Sequence, residues 1–324
     1  MERKDYNNRM LWLLPITMAL FAVLSSIAVH PVTAGAIMAQ KSFATPLQAV
    51  DDLITAVKND NVAELLDIFG PESEDLISSG DEIADHNGRD RFIKACEKRL
   101  TLEQENEDRV LISVGSSDYP FPIPLIRNEN AWSFDTQAGM EEILNRRIGR
   151  NELNTIMVMQ AYTDAQREYA AMNHNGGSGE FAQKITSSKG KRDGLYWEKE
   201  ANEPESPFGP LIARAVEEGY EGTMDKEPPE PFHGYFFKIL KKQGEHANGG
   251  AYDYVVNGKM ILGFGLVAYP AKYGASGIMT FLVNQEGTIY EKDLGEDTVD
   301  AAAMMTTFDP DDTWHKYEEP EENR

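Results

Sequence analysis

Three short stretches gather the residue types that recognise ligands or handle protons: KRDGLYW (191–197), FHGYFF (232–237) and GGAYDY (249–254). They supply Arg192, Asp193, Tyr196, Trp197, His233, Tyr235, Tyr252 and Asp253. Tyrosine and tryptophan offer wide contact area at little conformational cost, and arginine adds a planar fork of donors, so such groups dominate binding hot spots. Their expected place is on loops flanking a sheet, where binding residues concentrate. As a recognition surface, they predict that Trp197→Ala and Arg192→Ala abolish capture of a partner while the melting temperature hardly moves. The competing explanation is structural: Arg192 and Asp193 pin an insertion and the aromatic rings cover the sheet.

No other motif assembles a reaction centre. GSGEFA (177–182) satisfies the G-x-G-x-x-A dinucleotide pattern, but a helix precedes it where the fingerprint needs a strand, so it reads as a helix stop and a turn. In NHNGGSGE, Asn173, Asn175, Ser178 and Glu180 carry oxygen ligands at a spacing that fails the EF-hand pattern. SSKGKRDG lacks the first glycine and the Ser/Thr of a P-loop, and YGASG lacks the order of a nucleophile elbow. His86, His174, His233, His246 and His315 have no zinc-ligand spacing, and His233 reads as a hydrogen-bonded strand start. Cys96 sits at helical spacing from Phe92 and Ile93, which makes it a buried small hydrophobe. The reading therefore names no catalytic residue, metal or cofactor. It favours binding of an envelope protein or a small ligand over an envelope hydrolase or isomerase using a pocket of the N-terminal domain.

These stretches must be positioned by a scaffold. Thr45 and Pro46 start a helix whose stripe is Val50, Leu53, Ile54 and Val57, followed by a short helix over 62–69. After the helix RDRFIKACEKRL come the strands RVLISVG, FPIPLIR and AWSFDT, the last two joined by a hairpin at RNEN. Thr136 is the expected cap of a long helix to Met172, with Ile143, Leu144, Leu153, Ile156, Met157 and Tyr169 as apolar positions and Gly149 as its weak spot. Unbroken, it spans about 55 Å, more than one domain covers. A loop-rich insertion with a short helix leads to HGYFFKILKK, YDYVV, GFGLVAYP, GIMTFLVN and TIYEKDL, closely spaced strands of an antiparallel meander. The expected class is α+β, with the chain divided into a signal segment (1–39), an N-terminal domain of helices and curved antiparallel sheet (40–136), a long helix with its sheet (137–308) and a poorly ordered acidic tail (309–324).

Export is read from the N-terminus. Arg3, Lys4 and Arg9 precede the uncharged run LWLLPITMALFAVLSSIAV, and the small residues that follow offer cuts after Ala36 or Ala39. The rival is an uncleaved anchor, since the run approaches the roughly 20 apolar residues that span a bilayer. Pro15, Ser25, Ser26 and the small-residue exit favour cleavage and a periplasmic or secreted product. The formal net charge is −23, and losing the segment's net +1 leaves −24. Such a surface repels nucleic acid and anionic membranes. With a single cysteine the chain has no internal disulfide, so packing must stabilise it.

IGRNELNTI, YTDAQREYA, GKRDGLYW, SPFGPLI, FHGYFFKIL, GGAYDYVVNGKMI and SGIMTFLVNQEGTIYEKDLG resemble the bacterial domain-of-unknown-function family 2950 across nearly all of the mature chain. The resemblance implies an exported bacterial protein and carries no activity, cofactor or catalytic residue. By element order, residues 42–136 resemble the cone-shaped nuclear-transport-factor-2-like fold. The long helix with the meander behind it resembles the globular part of type IV pilin-like proteins, although a whole domain here precedes the helix.

Overall fold

The computed structural model describes residues 40–172, 179–199, 204–220 and 230–319. Its first layer is helical: α1 (Pro46–Lys58), α2 (Val62–Phe69), a 3-10 turn (Pro71–Ser73), α3 (Glu74–Ile77) and α4 (Glu82–Lys98). Thr45 accepts the Gln48 N–H and Pro46 fills the first turn of α1, as the sequence leads one to expect. A four-stranded antiparallel sheet follows in sequential order, β1 (Leu100–Asn106), β2 (Arg109–Val114), β3 (Tyr119–Asn128) and β4 (Ala131–Phe134). The RNEN hairpin closes with Asn128 opposite Ala131 and Glu129 at φ +57°. Strand β1 escapes the sequence reading because its outer half, Glu103 to Asn106, is exposed and polar. Phe43, Leu53, Ile68, Ile123, Leu125 and Phe134 fill the space between helices and sheet.

Helix α5 (Thr136–Ala171) then runs 36 residues, unbroken at Gly149. Its cap is Asp135, which accepts the Ala138 N–H; the Thr136 hydroxyl instead donates to the Phe69 carbonyl at 2.7 Å. Near its start, a Cβ on Gly139 would lie 2.3 Å from the Pro122 carbonyl oxygen, so glycine alone lets the helix rest on β3. Farther along, two expected apolar positions point outward, Leu153 at 54 % and Met157 at 47 % exposure. The buried face carries Asn151, Thr155, Thr163 and Gln166. Ile156 and Tyr169 are buried as expected, whereas Leu153 and Met157 give up their places to polar groups that find partners on the buried face.

The second half contains α6 (Gly209–Glu217), β5 (Tyr235–Leu240), β6 (Lys242–Gln243), β7 (Tyr252–Asp253), β8 (Val255–Val256), β9 (Lys259–Met260), β10 (Gly265–Pro270), β11 (Met279–Asn284), β12 (Tyr290–Asp293), α7 (Thr298–Met304) and β13 (His315–Lys316). The main sheet is antiparallel in the order β13-β12-β11-β10-β5. YDYVV does not join it: β7 pairs with β6 and β8 with β9 in separate two-stranded ladders, because Gln243 and the glycine turn draw that segment aside. One face of the main sheet, with Tyr235, Leu266, Ala268, Phe281 and Val283, packs with Ile156, Met159 and Tyr162 of α5. The other face, with Leu240, Val267 and Leu282, packs with Ala302 of α7. The class is α+β.

The acidic segment expected to be poorly ordered is placed as far as residue 319. Strand β13 adds an edge to β12, the Tyr317 N–H donates to the Ile289 carbonyl at 2.9 Å, and the Asp309 carboxylate accepts the His246 N–H at 2.8 Å. Aromatic anchors outweigh its acidic composition: Trp314 packs on the α7 side of the sheet and Tyr317 on the α5 side. The export segment, and Asn173, Asn175 and Ser178 of the calcium-like stretch, lie outside the described residues. Among the described residues, no helix is long and apolar enough to cross a membrane.

Candidate functional site

The second half of α5 places the loops that carry the singled-out residues. The Tyr162 hydroxyl donates to the Gly265 carbonyl (3.3 Å), and Gln166 donates to both the Tyr162 oxygen (2.9 Å) and the Ala182 carbonyl (2.8 Å). The Gln166 side chain also accepts the Ala182 N–H at 2.8 Å, so one amide closes a two-way clasp on the insertion. One turn farther on, Tyr169 donates to the Arg192 carbonyl at 2.9 Å. Burial pushes the Tyr169 hydroxyl up to about 12, with Glu180 and Asp193 adding to the shift.

Within the insertion, Asp193 accepts from the Ser188 N–H (2.7 Å), the Ser188 hydroxyl (2.9 Å) and Lys184 (2.9 Å). Burial works against its charge, but the hydrogen bonds from Lys184 and Ser188 outweigh that and hold the carboxyl at about 2. Trp197 is 6 % exposed, donates its indole N–H to the Pro204 carbonyl (3.2 Å) and lies 5.7 Å from the Arg192 guanidinium. Tyr196 pairs its backbone with Ile185 and packs partly buried on the same core. The pinning arrangement is thus the one present here. With its ring buried, Trp197→Ala is expected to cost stability as well as contact area.

His233 and Tyr235 occupy a second location. His233 adopts φ +51° and Gly234 φ +79°, where a Gly234 Cβ would also meet Asn151 Nδ2 at 2.5 Å. The His233 Nε2 lies 3.1 Å from Glu218 Oε2, and its ring packs at a tilt against Phe232 (centroids 4.2 Å apart) and Tyr220 (5.4 Å). Burial lowers its pKa, opposed by the Glu218 charge. Beside it, Asp81 caps α4 and accepts from Tyr220 (3.0 Å) and the Gly234 N–H (2.7 Å). Burial raises the Asp81 carboxyl, against those hydrogen bonds. Tyr235 is fully buried and donates to the Met279 carbonyl (3.0 Å), while Glu152 accepts the Ile278 and Met279 N–H groups, both at 3.0 Å.

Tyr252 and Asp253 form a third location on β7. Tyr252 packs edge-on to Tyr254 at 5.7 Å, and Tyr254 donates to Gln243 (3.0 Å), whose amide in turn holds the Asn248 and Gly250 carbonyls (both 2.7 Å). Asp253 is exposed. It opens onto a groove of about 470 Å³ lined by Gln183, Lys238, Ile239, Lys241, Lys242, Asp253, Val255, Met305 and Thr306. A second groove of about 470 Å³ runs beside the first half of α5, between Met140, Leu144 and Ile148 and the Gly274 to Ile278 turn.

The eight residues therefore fall into three locations, and only Asp253 lines a described groove. Sequence reasoning missed Asp81, Asn151, Glu152, Gln166 and Gln243. For Asn151, Glu152 and Gln166 the usable signal was polar residues recurring within IGRNELNTI and YTDAQREYA; Asp81 and Gln243 lie outside those stretches. Those stretches have a family context, because the family model described as "Protein of unknown function (DUF2950)" matches residues 40–317. The chain belongs to this family. Its match covers both sheets, α5 and the buried polar clasps alike. No curated protein and no solved structure matches the chain, so the likenesses to nuclear-transport-factor-2-like and pilin-like folds rest on element order.

Proposed function

We propose that the protein is exported, loses its first 36 or 39 residues, and works in the periplasm or outside the cell as a non-enzymatic protein that binds a partner or ligand. The observation carrying this reading is a division of labour among polar groups. Asp81, Glu152, Gln166 and Gln243 are spent on the fold, whereas Lys241 and Lys242 of the β5 groove are exposed and have no ion-pair partner among the described residues. An unspent pair of cations beside apolar Ile239, Val255 and Met305 suits recognition. Export is supported by the small residues before Gln40 and by a family match that begins at residue 40.

The rival reading, a hydrolase or isomerase with its pocket between the N-terminal helices and sheet, meets a filled interior: Ile68, Ile123, Leu125 and Phe134 are at most 1 % exposed. A photo-crosslinking residue placed at Lys242 in the producing cell tests the binding reading, with exposed Glu103 on β1 as the control. A discrete adduct from position 242 alone is expected. Equal labelling at both positions, or none at 242, sinks it. Intact-mass measurement of the envelope protein tests export, and retention of residues 1–36 overturns cleavage.

A further inference from the structure

Strand β5 ends the main sheet, and β10 is its only strand partner among the described residues. Which backbone groups its free side presents follows from the bonds at its two ends. Tyr235 is opposite Pro270, which has no N–H, and exchanges both its backbone bonds with Phe232 (3.2 and 2.8 Å). At the far end the Lys241 carbonyl accepts the Tyr254 N–H at 2.8 Å. Bonding direction alternates along an antiparallel strand, so Tyr235, Phe237, Ile239 and Lys241 all turn their N–H and C=O groups away from β10. The first and last are engaged; the N–H and C=O of Phe237 and Ile239 have no partner among the described residues. Phe237 and Ile239 are half-buried, not covered, and the groove lies along this edge.

The charges around the edge select what fits. Lys238 is spent, because its ammonium donates to the Ala302 and Ala303 carbonyls at the end of α7. Lys241 and Lys242 remain, and among the described residues lining the groove they face a single carboxylate, Asp253, opposite Lys242 in the β6 and β7 ladder. This local excess of positive charge complements an acidic segment at short range, while the chain's net charge of −23 opposes it only beyond the screening length. It disfavours a second copy, whose β5 edge would bring the same lysines face to face. Resting on the binding reading above, we infer that the open edge of β5 accepts an extended acidic peptide of a partner protein as an added strand. Phe237 and Ile239 pair with its backbone, Lys241 and Lys242 meet its carboxylates, and Ile239, Val255 and Met305 meet its apolar side chains.

The test uses a fluorescein-labelled peptide of alternating glutamate and valine, in fluorescence anisotropy at about 0.15 M salt, where only nearby charges count. Saturable binding is expected. It should weaken by at least about tenfold with lysine in place of the peptide's glutamates, and likewise with the protein variant K241E/K242E, as charge-assisted contacts are lost. N-methylation of alternate peptide amides keeps the charge and removes strand donors, so it should weaken binding equally. No binding, or equal binding of the methylated peptide, overturns strand addition. So does a concentration-dependent dimer that K241E/K242E abolishes. A crosslink at position 242 in cells together with failure of the peptide leaves the binding reading standing and removes this one. Peptide binding without any cellular crosslink does the reverse.

Discussion

The two halves of α5 are held by different means. From Thr136 to Arg150 its buried positions are Gly139 and Ile148; from Asn151 onward they are ten, and Asn151, Thr155, Thr163 and Gln166 are among them. The first half is fixed by the close approach of Gly139 to β3 and by two donors that reach only the neighbouring helical layer, Thr136 to the Phe69 carbonyl and Arg147 to the Asp75 and Leu76 carbonyls. The second half is fixed by donors and acceptors that reach Ala182, Arg192, Gly265 and Ser276. A helix that only packs needs apolar residues, whereas one that also sets loops must bury polar groups, each costly if left unpaired. The loops of the insertion and of the β10 and β11 ends are therefore defined by α5.

The comparison predicts a graded set of responses. The largest belongs to the core held by the second half: Trp197→Ala should cost about 3–5 kcal/mol in urea unfolding, the usual loss for deleting a buried large aromatic. A variant melting near the parent would return Trp197 to the surface. In the first half, Gly139→Ala should cost about 1–3 kcal/mol, since the new methyl meets backbone at Pro122 that has no rotamer to yield. A neutral result there would mean the helix can lift off β3. Next, Gln166→Leu keeps bulk but leaves the Ala182 N–H and C=O without their side-chain partner, for about 1–3 kcal/mol. Faster amide exchange at Ala182 should accompany it, and unchanged exchange would show that the clasp is dispensable.

How much of this was legible follows the same division. The Thr45 cap, the RNEN hairpin, the long helix and strands β5, β10, β11 and β12 are local patterns of cap, turn and period, and the sequence shows them; β13, inside the acidic segment, it does not. On the buried face of α5, Ile156 and Tyr169 are legible, but Asn151, Thr155, Thr163 and Gln166 are not, because polar residues look solvent-facing until their partners are known. The eight candidate residues were grouped by type, yet types do not place loops: Tyr235 and Trp197 went to the core, Asp193 to a turn, and Asp253 to a groove rim. The β5 edge could not be read at all, because an open edge depends on YDYVV leaving the sheet.

Smaller effects sharpen the contrast within the helix itself. At Gly149 an added Cβ meets nothing within 4 Å, so Gly149→Ala should stabilise by about 0.5–1 kcal/mol, opposite in sign to Gly139→Ala. Calorimetry on the pair decides it; a loss at both positions would mean that Gly149 serves a bend after all.

The smallest effect tests the far end of the α5 network, where Tyr169 holds Arg192 and the next residue pins the turn. The Asp193 carboxyl is depressed from the ordinary 3.8 to about 2. The folded state thus binds its proton more weakly than the unfolded state does, and the contribution to stability is fully present above 3.8 and lost as pH falls toward 2. Because the side chain is 37 % exposed, solvent screening limits the contribution to about 0.2–1 kcal/mol. Asp193→Asn should therefore be slightly less stable than the parent near neutral pH, and the gap should close as the acid limb is crossed. Urea titrations of both proteins along that limb measure the gap directly. A gap that persists at the acid end would assign the pinning to the shape of the turn, and the carboxylate charge would then have no part in it.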